Sequence, residues 1–297
     1  MSHMPQLSKE PLTLGPILKS DSGRIYRIEE VLAQQRNPVL CRKKHDSGEF
    51  DYQLNLQKLL ATCPNVRRVV EVKDLEMFIY PYWSGDLLPL SLRKLSGDTR
   101  RYILFSTIGI FSIAGHIKAN NILVGYMESA EGGLVFKSVQ ISDLEDTVIG
   151  PKGKWLTGPL CGNAIWRSPE SWCQSRQNLA SDMIYVMVNE MVFRVKDDEL
   201  NSADSWRHIL RRHISYFTDE DGLNGFLEHI AEENPFYERL IDLANTLGPE
   251  NPRQPFERWG YVEPDLRDLV GKMTNLDPTR RITGMEALQY RWLSKTG

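Results

Sequence analysis

Apolar residues come in short runs through the first third of the chain and recur every three to four positions through most of the rest. Thr13 to Leu18 and Gly23 to Ile28 flank Lys19-Ser20-Asp21-Ser22-Gly23, which has the composition of a tight hairpin turn. Pro38 to Lys43, Val66 to Val72 and the aromatic run Glu76 to Tyr82 predict three further short strands. Between them, Tyr52 to Ala61 sets Leu54, Leu56, Leu59 and Leu60 largely on one helical face. The pattern predicts a small, mostly antiparallel sheet carrying one helix.

After Gly85-Asp86-Leu87-Leu88 the period lengthens. Arg100 to Ala114, Ser181 to Val195, Ser205 to Phe217, Gly222 to Glu232, Pro235 to Thr246, Pro264 to Met273 and Met285 to Trp292 read as helices. Strand-like sequence is confined to Ile122 to Tyr126 and Leu134 to Ile141, joined by the Glu-Gly-Gly of a hairpin. The expectation is α+β: a β-rich lobe over residues 11–82, a helical lobe over 83–297, and a hinge near 81–86. Ligands commonly bind where two lobes meet.

Composition narrows the function classes. The chain has 297 residues, 36 basic and 39 acidic, a formal charge of −3, and 41% apolar residues. That balance argues against a nucleic-acid footprint, an acidic tail or a disordered chain. The four cysteines, Cys41, Cys63, Cys161 and Cys173, have neither paired nor zinc-type spacing, which fits reduced thiols and an intracellular protein. Tyr102 to Gly115, the longest uncharged stretch, is shorter than the roughly 20 residues of a membrane-spanning helix. Neither membrane nor nucleic acid is expected as a partner. Met1 to Met4 read as an expression-tag remnant, and residues 1–10 as a tail.

The most specific stretch is His116-Ile117-Lys118-Ala119-Asn120-Asn121-Ile122-Leu123-Val124, followed 22 residues after Asn121 by Asp143 in Ile141-Ser142-Asp143-Leu144-Glu145. Ser168-Pro169-Glu170 follows, then Ser181-Asp182, then Asp277-Pro278-Thr279-Arg280-Arg281-Ile282-Thr283 and Trp292-Leu293. In that order these motifs resemble the eukaryotic protein kinase family, from its H-R-D-L-K-x-x-N catalytic loop and D-F-G through A-P-E to the closing D-P-x-x-R-x-T. The resemblance runs from about Leu14 to Leu293. It implies a bilobal kinase-like fold with an activation segment over 143–170. It also implies ATP and Mg²⁺ as ligands and a protein substrate or partner. Asn121 and Asp143 would hold the metal and Lys118 would steady the transferred phosphoryl group. Gly23, Lys43, Tyr80 and Tyr82 would contact the nucleotide, and Glu170 would pair with Arg281 as a structural bond, with Asp182 opening the central helix. The Trp-rich segment and the insertion Met127 to Lys137 are most similar to kinase-like domains of fungi.

The departures concern catalysis. His116 stands where the family places its catalytic aspartate, and an imidazole accepts a proton with a different shape and pKa. Only 17 positions separate Arg101 from Lys118, about ten fewer than the family's helix and loop need, and the helix after Asp182 is about two turns short. One glycine, Gly23, remains of the three in the phosphate loop. Arg42 competes with Lys43 for the strand-lysine position, and Gln53 stands where an acidic partner belongs, with Glu49 a turn earlier. Three readings follow: a pseudokinase-like nucleotide binder with weak or absent phosphotransfer, an active Ser/Thr kinase whose catalytic aspartate lies in a missing segment, or a scaffold that binds a protein without nucleotide.

Other clusters read as structure. Trp206-Arg207-His208-Ile209-Leu210-Arg211-Arg212-His213 is a basic amphipathic helix. With Asp197, Asp198, Asp219, Glu220 and Asp221 nearby, it reads as a solvated face rather than an anion site. Trp155, Trp166 and Trp172 are expected to pack the activation segment. Thr147 and Thr157 are candidate phosphosites.

Overall fold

The computed structural model describes residues 17–19, 23, 25–27, 49–72, 77–81, 83–91, 93, 95–111, 119–128, 134–144, 155–157, 164–177 and 192–294. The chain divides into two compact units, Met1–Tyr82 and Trp83–Gly297.

In the first unit, β1 (Ile17–Lys19) pairs antiparallel with β2 (Ile25–Arg27), Ile17 opposite Arg27. Gly23, in the turn between them, has φ 79°, a left-handed backbone where a Cβ is disfavoured. Helix α1 (Glu49–Leu59) is followed by β3 (Val70–Val72) and β4 (Met77–Ile79), also an antiparallel pair. Phe50 of α1 stacks on Phe78 of β4, ring centroids 4.7 Å apart. The described strands therefore form two separate antiparallel pairs where the sequence predicted one sheet. The strand expected at Pro38 to Lys43 lies outside the described residues. Leu54, Leu56 and Leu60 are buried as expected, but Leu59 is 62% exposed, and Gln53 and Gln57 are buried instead. At about 100° per residue, Gln53, Gln57 and Leu60 centre the buried arc with Leu54 and Leu56 at its two edges, and Leu59 falls outside it beyond Leu56.

The second unit opens with β5 (Gly85–Asp86) and α2 (Leu87–Ser91), whose first turn is closed by the Asp86 carboxylate accepting from Leu88 N at 2.9 Å. Helix α3 (Gly97–Phe111) buries Ile103, Leu104, Thr107 and Ile108. Strands β6 (Ile122–Glu128) and β7 (Leu134–Ile141) form an antiparallel hairpin that, with β5, makes a three-stranded sheet in the order β5-β6-β7. Residues 129–133, between the two strands in sequence, lie outside the described residues. Then come β8 (Leu156–Thr157), α4 (Pro169–Trp172) and β9 (Arg176–Gln177), with β8 paired to β9. The remaining helices are α5 (Asp197–Leu200), α6 (Ser205–Phe217), α7 (Glu220–Ile230), α8 (Tyr237–Asn245), α9 (Pro264–Met273), α10 (Gly284–Leu288) and α11 (Arg291–Ser294). Among the described residues no helix is long and apolar enough to cross a membrane.

Two helix predictions are corrected. Met285 to Trp292 is two short helices, α10 and α11, because the chain breaks from helix at Gln289-Tyr290. The described end of Ser181 to Val195, residues 192–195, is turn and loop, and 181–191 lie outside the described residues.

The core of this unit is centred on α6, whose Ile209, Leu210, His213, Ile214 and Phe217 are buried at helical spacing. His213 is fully buried and stacked on Phe193 at 3.8 Å between centroids, with neither ring nitrogen hydrogen-bonded among the described residues. Burial, and next the nearby Arg281 charge, hold its pKa well below the usual histidine value. Protons therefore bind the unfolded chain before the folded one as pH falls. Stability from this site is complete above about pH 6.5 and declines by up to ~1.4 kcal/mol per unit below it. His213→Leu is expected to remove that part of the acid slope. Urea midpoints at neutral and mildly acidic pH test this, and an unchanged slope in the variant would refute it.

Gly225 shows where packing overrides propensity. A Cβ there would lie 2.7 Å from Asp277 Cγ. That carboxylate is fixed, its Oδ1 accepting from Thr279 N at 2.8 Å and Thr279 Oγ1 at 2.7 Å. Alanine normally stabilises a helix interior by about 1 kcal/mol over glycine. Here Gly225→Ala is expected to destabilise by about 1–3 kcal/mol through overpacking, measured as a lower urea midpoint. A stabilised variant would mean that the loop at Asp277 yields.

Candidate functional site

The β6-β7 hairpin brings together two residues 22 apart in sequence. Ile122 pairs with Ile141, so the residue before β6 and those after β7 share one end of the ladder. Asn121 closes a single 3-10 turn, Ala119–Asn121, and its carbonyl accepts from Ser142 N at 2.7 Å. Its side-chain Nδ2 donates to the Asp143 carbonyl at 3.4 Å. Asn121 is 4% exposed. Asp143 is exposed, with φ 54°, a left-handed conformation that aspartate tolerates better than most residues. Leu144 is buried beside it and anchors the strand exit.

Neighbouring elements hold this end in place. Asp86 of β5 lies opposite Leu123, and α2, with Leu87 and Leu90 buried, packs against the 3-10 turn. The outcome is a buried amide fixed to the backbone of an exposed carboxylate. Oxygens of these two kinds suit a hard divalent cation. Among the described residues no group of three or more His, Cys, Asp or Glu is placed to hold a metal. A cation at Asn121 and Asp143 would therefore take most of its ligands from water or from an oxyanion such as phosphate.

The other residues expected at a site fall as follows. Gly23 is exposed in its turn. Tyr80 is half-buried, with the Arg67 guanidinium 4.6 Å from its ring centroid and Phe78 at 6.3 Å. Arg67 also donates through Nε to the Pro81 carbonyl at 3.2 Å, and through Nη2 to the same oxygen. The clamp has no signal in the sequence beyond the aromatic run Glu76 to Tyr82. Lys43, Tyr82, His116, Lys118 and Asp182 lie outside the described residues.

Glu170 and Arg281 do meet, in the core. Ser168 caps α4 by accepting from Ser171 N at 3.1 Å, and Pro169 starts the helix. Glu170 Oε1 then stands 2.6 Å from Arg281 Nη1, with both side chains almost completely buried. Arg281 also donates Nε to Asn275 O at 2.5 Å and Nη2 to Leu276 O at 3.0 Å. The ion contact itself lacks hydrogen-bond alignment, and neither Glu170 oxygen has another partner among the described residues. Next to it, burial and then the Glu170 charge raise the Cys173 thiol well above its ordinary pKa, which keeps it protonated and unreactive.

Of the tryptophans expected to pack together, Trp155 packs on His229 at 4.8 Å and Trp172 is buried under the Arg167 guanidinium at 4.9 Å. Thr147 and the side chains of Trp166 and Thr157 lie outside the described residues.

No family model matches the chain. Over 40 residues, 14% of its length, it is 42% identical to calcium/calmodulin-dependent protein kinase type II subunit delta of Oryctolagus cuniculus. That stretch spans 8% of the relative. The similarity gives weak support to a protein-kinase-like ancestry.

Proposed function

We propose that the chain is a bilobal protein-kinase-like module that binds ATP with Mg²⁺ and transfers phosphate weakly or not at all. The observation that carries this reading is the joining of Asn121 to Asp143 at one end of the β6-β7 hairpin. The partial kinase similarity supports it.

In this reading Asn121 and Asp143 supply oxygens to the metal, and bound Mg²⁺ neutralises phosphate charge. The hydrogen bond from Asn121 Nδ2 keeps the Asp143 backbone in its left-handed turn and so presents the exposed carboxylate. Lys118 and Lys43 contact phosphate oxygens, Gly23 permits close backbone approach, and Tyr80 and Tyr82 border the base. These five roles rest on the family resemblance. Phosphotransfer is weak because His116 replaces the carboxylate that orients a substrate hydroxyl.

Thermal denaturation with ATP and Mg²⁺ tests the reading. Ligand at a hundredfold excess over Kd stabilises the fold by about 2.7 kcal/mol. The wild type is expected to show a shift that requires both ATP and Mg²⁺, and Asp143→Asn to lose the Mg²⁺ requirement or the shift itself. Equal shifts in both proteins, or none at millimolar nucleotide, would sink the proposal. Phosphate transfer that is robust in wild type and lost in Asp143→Asn would replace it with the active-kinase reading.

A further inference from the structure

The basic helix α6 does not behave as a uniformly solvated face. Three of the five acids expected to neutralise it pair with other cations, Asp197 with Arg194 and Asp219 and Asp221 with Arg280, while Glu199 reaches His208 of α6 at 3.5 Å. Arg212 is spent inward, donating to Val192 O at 3.0 Å. That leaves Arg207 and Arg211, one helical turn and about 6 Å apart along α6. Helix α8 packs against α6 and adds Arg239. Among the described residues no carboxylate lies within 4.0 Å of any of these three guanidinium groups.

Two of them are held by aromatic rings. Trp206 and Phe236 meet edge-to-face at 5.3 Å. Arg239 lies 5.2 Å from the Trp206 centroid and 5.0 Å from that of Phe236, while Arg207 lies 5.7 Å from Trp206. Arg211 is fixed by its Nε bond to Thr246 Oγ1 at 3.3 Å.

We propose that the α6-α8 seam is a docking site for a phosphorylated protein segment, with Arg207, Arg211 and Arg239 binding the phosphate and Trp206 and Phe236 receiving the flanking residue. Planar guanidinium forks match the three oxygens of a phosphate dianion, and stacking on rings limits the side-chain entropy lost on binding. The chain's net charge of −3 and the small extent of the patch favour a local anion over an extended nucleic acid.

The probe is a fluorescent phosphoserine peptide, compared with its unphosphorylated and glutamate twins and with single-stranded DNA, all titrated into the full chain. The phosphopeptide is expected to bind at least tenfold tighter than either twin. Arg207→Ala/Arg239→Ala should weaken it at least tenfold, and the exposed control Arg253→Ala should leave it unchanged. Should the double alanine variant unfold, Arg207→Lys/Arg239→Lys retains the charge but removes the forks, and is still expected to lose several-fold. Phosphopeptide affinity that is absent at millimolar peptide, matched by the glutamate twin, or unaffected by both double variants would overturn the proposal. Tighter binding of DNA, with the same loss in the variants, would identify a nucleic-acid surface instead.

Discussion

Replacing Glu170 by alanine is expected to lower the free energy of unfolding by about 3–5 kcal/mol, the range for removing one partner of a buried ion pair. The side chains of Glu170 and Arg281 are 0% and 1% exposed, so water does not reach the charge left behind. Arg281 would keep its bonds to the Asn275 and Leu276 carbonyls and could not swing out without abandoning them. It would also still face the fully buried His213, whose protonation its charge opposes. Because the 2.6 Å contact lacks hydrogen-bond alignment, its value is chiefly the mutual cancellation of two buried charges. The double variant Glu170→Leu/Arg281→Leu should therefore recover part of the loss, since well-packed apolar residues often replace such pairs without penalty. Urea unfolding of the wild type, both single variants and the double variant completes the cycle. A loss under 1 kcal/mol for Glu170→Ala would show that Arg281 is neutralised by something else.

Periodicity read the longer helices of the second unit well. Ser205–Phe217 and Pro264–Met273 occur with the bounds expected, because each repeats its buried face over at least two turns. Strand Leu134–Ile141 likewise matches its alternating pattern. The short elements β5, β8, β9, α4 and α5 were not legible, since two to four residues carry no period and form only against a partner.

The candidate site was partly legible for a related reason. The sequence marked Asn121 and Asp143 by motif, and the hairpin predicted between them is what makes them neighbours. What the sequence could not convey was Asp143's left-handed backbone or the burial of Asn121, which depend on α2 and β5 packing against the strand ends. The three arginines of the α6-α8 seam do not form a group in the sequence, because Arg239 arrives from a separate helix.

Trp292→Ala is expected to cost about 3–5 kcal/mol, the usual range for deleting a large buried aromatic side chain. Trp292 is 1% exposed on α11, where it joins the packing of α11 against α3, α9 and α10. The Arg101 guanidinium lies 5.5 Å from its ring. Its indole Nε1 donates to Glu263 Oε2 at 2.8 Å, tying the last helix to the residue that precedes α9. Packing and hydrogen bond are separable, because Trp292→Phe keeps most of the ring and loses only the donor. A hydrogen bond to a charged group contributes about 1.5–3 kcal/mol. The phenylalanine variant should lose less than that range's upper end, because Glu263 also lies near the positively charged Arg100 and keeps that compensation. Urea unfolding should then order the proteins as wild type, Trp292→Phe, Trp292→Ala. If phenylalanine were as damaging as alanine, the Glu263 bond rather than the buried ring would be what fixes α11 in place.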